Sequence, residues 1–128
     1  MSDFKNLKVW RKAHALALNI HRVVTRVRRS ENAGLRNQLL RAAMSVPTNI
    51  VEGTGQRSGK EFGRFIDIAL KSTSELEYHL IIARDIRAIS LNDFESLSAQ
   101  TIEVRKMLYG LRTRVTASPP KIPSGVTA

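Results

Sequence analysis

The stretch Arg41-Ala42-Ala43-Met44-Ser45-Val46-Pro47-Thr48-Asn49-Ile50-Val51-Glu52-Gly53 reads as one amphipathic helix with a proline in its interior. Leu35, Leu39, Ala42, Val46 and Ile50 recur at helical spacing on one side, while Arg41, Ser45, Thr48 and Glu52 keep the same spacing on another. Pro47 withholds a backbone donor and crowds the preceding turn, a cost of about 3 kcal/mol that surrounding packing must offset. The expectation is a kinked helix over 35–53, stopped by Gly53.

Upstream, Val9, Ala13, Leu16, Ile20, Val23 and Val27 alternate steps of four and three, which predicts a helix from about Asn6 to Arg28 with a bundle seam. Turn formers in 30–34 break the pattern. Downstream, Ser58 and Glu61 form a capping box that opens a third helix, running to about Ile89. Phe62, Phe65, Ile66, Ala69, Thr73, Leu76, Leu80 and Ala83 form its core side, and Ile68, Ile82 and Ile86 a second apolar line. A second box, Asn92-Asp93-Phe94-Glu95, precedes a fourth seam through Phe94, Leu97, Thr101, Val104, Leu108, Leu111 and Val115. Short connections between long helices predict an all-α, antiparallel up-down-up-down four-helix bundle with a kinked second helix. The bundle is expected over residues 1–116, and residues 117–128, with three prolines and no periodicity, are expected to be a disordered tail.

One domain is what 128 residues support. The chain has no cysteine, which excludes disulfides and thiolate chemistry and suits a reducing compartment, so a cytoplasmic location is expected. No apolar run reaches the length of a membrane span, and the basic N-terminal dozen residues lack a signal-peptide core. The net charge of +10 is unevenly placed: residues 1–64 hold thirteen Lys or Arg against four acids. Between Phe4 and Ser30 there is no acid, and Lys8, Arg11, Lys12, Arg22, Arg26 and Arg29 share one side of the expected helix. Such a stripe suits a polyanion, because each neutralised phosphate releases counterions.

Catalytic and metal chemistry find little support. Gly53-Thr54-Gly55-Gln56-Arg57-Ser58-Gly59-Lys60 misses the phosphate-loop spacing by one residue and has Glu61 where Ser or Thr belongs. Arg57, Gly59 and Lys60 at a helix start remain a candidate anion site beside the plainer reading of an interhelical turn. His14, His21 and His79 lack the paired Glu-x-x-His motifs of bundle metal centres, so neither metal nor cofactor is expected. No residue set supplies a nucleophile, a base and an oxyanion donor, so an enzyme is not expected. Arg41, Ser45, Thr48 and Glu52, joined by Asn49, can approach Ser72, Glu75 and His79 across an antiparallel helix pair as a register-fixing polar network, with Arg41 paired to Glu75, against the alternative of a small polar pocket. Ile68, Ile82 and Ile86 are a candidate oligomer interface, against the alternative of a broad core.

Together with Phe4-Lys5-Asn6-Leu7-Lys8-Val9-Trp10 and Arg57-Ser58-Gly59-Lys60-Glu61-Phe62, the Pro47 segment resembles the four-helix-bundle proteins of the 23S ribosomal-RNA intervening-sequence family, over roughly residues 4 to 115. The family is encoded within large-subunit ribosomal RNA genes and elsewhere in bacterial genomes. A more distant resemblance is to the accessory variability determinant of diversity-generating retroelements, a basic pentameric bundle that binds a reverse transcriptase and nucleic acid. The resemblance implies a homopentamer and a nucleic-acid or ribonucleoprotein partner. The residues favour a non-enzymatic bundle binding nucleic acid electrostatically, with low sequence specificity because no base-reading module is present. The alternative is a protein-interaction scaffold whose basic face meets an acidic partner such as a polymerase or reverse transcriptase.

Overall fold

The chain is seen in a computed structural model, which describes residues 3–27 and 29–117; the expected tail, apart from Ala117, lies outside the described residues. Four α-helices follow a short 3-10 turn at Phe4–Asn6: α1 (Lys8–Val24), α2 (Ala33–Thr54), α3 (Gly59–Asp85) and α4 (Leu91–Thr116), with a second 3-10 turn, Ser30–Asn32, before α2. No strand occurs among the described residues. Each helix packs on two others, α1 on α2, α2 on α3, α3 on α4, and α4 back on α1. Contacts across neighbours run in opposite senses. Asp67 and Glu77 of α3 meet Arg112 and Arg105 of α4, and Lys12 and Asn19 of α1 meet Glu103 and Gln100. Along α2 and α3, Ser45 meets Ser72 while Gly53 meets Phe62.

The seams predicted from spacing form the core, with Leu35, Phe62, Phe94 and Val115 partly buried against it and Phe65 outside the cluster. Leu16, Ile20, Leu39, Ile50, Ile66, Leu76, Leu80 and Leu108 are all fully buried, each contributing about 1.5–3 kcal/mol of transfer free energy. Thr73 and Thr101 are also fully buried, their hydroxyls donating within their own helices to the carbonyls of Leu70 and Leu97. Pro47 stands buried inside α2 and does not end it. Its missing N–H leaves the Ala43 carbonyl without its helical donor, the local condition for a bend.

Several boundaries differ from the sequence reading. Gly53 does not stop α2, which runs on to Thr54 with Gly55 as its cap, and α3 ends at Asp85, short of Ile89. The first helix ends at Val24, because Arg26 and Val27 turn back to the Val23 and Val24 carbonyls in a tighter turn. Val27 nonetheless stays buried, which kept the apolar spacing going past the helix end. The fourth helix starts earlier than the Asn92 box: Ser90 is the cap, and its Oγ accepts from the Asp93 N–H at 3.0 Å. At α3 the cap is the expected one, with Ser58 Oγ accepting from the Glu61 N–H at 3.1 Å, although the Glu61 carboxylate turns to Arg64.

Candidate nucleic-acid interface

Charge separates by helix pair. α1 and α2 carry Lys8, Arg11, Lys12, Arg22, Arg36 and Arg41 against a single acid, Glu52, whereas α3 and α4 carry eight basic and eight acidic residues. Four of the eight acids of α3 and α4 pair with arginines of those same helices. Arg112 forks onto Asp67, its Nη2 3.0 Å from Oδ2, and holds that carboxyl below its ordinary pKa chiefly through the hydrogen bond. Arg105 bridges Thr73 and Glu77, with Nε 3.2 Å from the Thr73 hydroxyl.

Of the six residues proposed for polyanion contact, Lys8, Arg11, Lys12 and Arg22 lie exposed on α1. Arg26 and Arg29 lie past its end, so the stripe is shorter than the spacing predicted. Lys12 sits 3.5 Å from Glu103, Arg26 3.5 Å from Asp93 and Arg29 2.8 Å from Glu31. Arg11 donates to the Lys5 carbonyl and Arg22 to the Asn19 side chain, neither of which neutralises charge. Lys8, Arg11 and Arg22 therefore form the free part of the stripe, and exposed pairs such as Lys12 with Glu103, worth about 0–1 kcal/mol, can exchange a carboxylate for a phosphate.

The candidate anion site is otherwise occupied. A Cβ on Gly59 would overlap the Val115 carbonyl oxygen, and one on Gly63 would come 2.6 Å from Thr116 Cγ2. The two glycines, one turn apart, admit the last turn of α4, and the carbonyl brought against Gly59 disfavours an anion there. Arg57 and Lys60 remain exposed at this turn.

The polar network between α2 and α3 is smaller than expected. Ser72 Oγ lies 2.7 Å from Ser45 Oγ, and Asn49 Nδ2 donates to the Ser45 hydroxyl at 3.0 Å and to its carbonyl at 2.8 Å. Arg41, Glu52 and Glu75 are exposed and outside it, and the expected pair of Arg41 with Glu75 is not formed. Arg41 and Glu52 sit further round α2, on its exposed side. Along α3, Ile68 is 43% exposed and Ile86 52%, while Ile82 is half-buried, so this line is not bundle core. Ile86 itself is the residue that caps α3. No three His, Asp or Glu side chains converge among the described residues.

The fold and this face define a basic four-helix bundle. The family model for the 23S rRNA-intervening sequence protein matches residues 5–110, and the chain belongs to that family. A solved structure from Bacteroides thetaiotaomicron VPI-5482, described as a protein with unknown function from the S23 ribosomal protein family, is similar with a TM-score of 0.77 and 27% identity, over 81% of this chain and 97% of that one. No curated protein matches. Among the described residues no helix is long and apolar enough to cross a membrane.

Proposed function

We propose that the protein is a non-enzymatic, self-associating basic bundle that binds nucleic acid, RNA or a ribonucleoprotein, through the α1 face with little sequence specificity. The observation that carries this reading is the segregation of charge: six cations and one acid on α1 and α2, against balanced charge on α3 and α4. A second observation supports it. The first turn of α1 has no acid and no side-chain cap, yet begins with Lys8 and continues to Arg11. Cations at the positive end of a helix dipole cost about 0.3–1 kcal/mol each, so the local rule is broken where a polyanion would repair it. The family's name, which refers to intervening sequences of 23S rRNA, fits an RNA partner.

Contact would centre on Lys8, Arg11 and Arg22, with Lys12, Arg26 and Arg29 recruited by exchange of their carboxylates. The Ile68 and Ile82 line is the proposed contact between copies, a homopentamer by the family resemblance, and light scattering at micromolar concentration reads the subunit number. The test of binding is fluorescence anisotropy with unrelated RNA and DNA sequences across a salt series. The reading expects sequence-independent affinity and a linear fall of log affinity with log salt, at about −0.9 per duplex phosphate neutralised. No binding at low salt would refute it.

A further inference from the structure

Two cavities lie in the outer groove between α1 and α2, a third opens beside them on α2, and Leu40 lines all three. The one beside Pro47, about 260 Å3, is walled by the carbon of Ala17, Leu18, Leu40 and Met44, with the His14 and His21 rings at its edge. Leu18 is 51% exposed and Met44 58%, so two facing helices hold large apolar side chains in water above a preformed hollow. No Asp or Glu lines any of the three cavities; the charged residues that do are Arg36 and Arg41. Arg36 Nη1 donates to the Val27 carbonyl at 2.7 Å and the Arg29 carbonyl at 2.9 Å, which fix the guanidinium without neutralising it. Arg41 is exposed, and neither arginine takes part in an ion pair.

A carbon-walled hollow with cations in the adjoining cavities suits a ligand that is apolar on one stripe and anionic beside it. We infer that this groove receives an acidic amphipathic helix of another protein, its apolar anchors one turn apart seated over Leu18, Leu40 and Met44, and its carboxylates on Arg36 and Arg41. Nucleic acid fits the groove less well. A phosphate chain finds no donor on the side chains of Ala17, Leu18, Leu40 or Met44, and the nearby Trp10 ring is already stacked on His14 at 5.0 Å. A second copy docking by the same face would bring the same cations, which repel; a copy docking by a different face, as a ring requires, is the outcome that the mass measurement below detects. The inference goes beyond the polyanion reading and uses a different part of the surface.

The experiment measures anisotropy of a labelled helical peptide of about five turns, with Leu on one stripe and Glu beside it. Two controls accompany it, one with Lys in place of Glu and one with the same composition scrambled. The peptide is titrated with the full-length protein and with Leu18→Ser/Met44→Ser, altered at exposed positions that leave the core intact. The inference expects the Glu peptide to bind at least about tenfold more tightly than either control, and the double variant to lose about tenfold. Its helical circular dichroism, its mass by light scattering and its RNA affinity should be unchanged, so failure here is distinguishable from failure of RNA binding. Equal binding of the scrambled peptide, or no loss in the variant, would overturn the inference. So would a fall in mass, which would place a second copy in the groove.

Discussion

Gly59 and Gly63 show what a residue contributes by lacking a side chain. Gly59 looks like part of a phosphate loop in the sequence, but in the fold it and Gly63 are the floor on which the last turn of α4 rests. Gly59→Ala should cost about 1–3 kcal/mol, because backbone must shift, while Gly34→Ala, where a Cβ meets nothing within 4 Å, should be neutral or mildly stabilising. Urea melts of the two variants check the contrast, and equal effects would contradict it. At the same scale, the fork of Arg112 on Asp67 makes stability pH-dependent. The folded pKa of Asp67 is lowered, so its contribution is present above the unfolded value and is lost as pH falls through the folded one. The stability gap between wild type and Asp67→Asn should therefore shrink on acidification below about pH 4. A gap that widened there would be inconsistent with this account.

Elements were legible wherever one apolar face repeats. All four seams emerged from spacing because a bundle buries one stripe per helix, and that stripe survives in the sequence without knowledge of neighbours. Ends were less legible. Val27 stays buried beyond the end of α1, so spacing could not show that the helix had stopped. Ser90 and Asn92 are both good caps two residues apart, and only the hydrogen bond to Asp93 separates them. Ser90→Ala should cost about 1 kcal/mol and Asn92→Ala close to nothing, read as a difference in unfolding midpoint. The reverse order would restore the later boundary. Cross-helix pairs such as Arg112 with Asp67, and Arg105 with Thr73 and Glu77, left no signal, since their partners are far apart in the chain and each residue alone reads as surface charge. Arg41 with Glu75 failed for the complementary reason: compatible spacing does not fix how far round its helix a side chain points.

At the scale of the whole molecule, the excess charge along the sequence became a charged side in space because α1 and α2 are neighbours and four of the eight acids of α3 and α4 pair with arginines of those same helices. The central claim is that this placement, rather than total charge, confers polyanion binding. The most direct test removes three cations from either side and compares salt dependence on single-stranded RNA. Lys8→Ala/Arg11→Ala/Arg22→Ala takes them from α1; Lys60→Ala/Lys71→Ala/Lys106→Ala takes the same charge from exposed positions of α3 and α4. The account predicts that the α1 variant flattens the log–log slope by about 2, near 0.7 per lost phosphate contact, while the other variant keeps the wild-type slope. Equal flattening by both would mean that the charge acts as a diffuse cloud and that α1 is not the binding face.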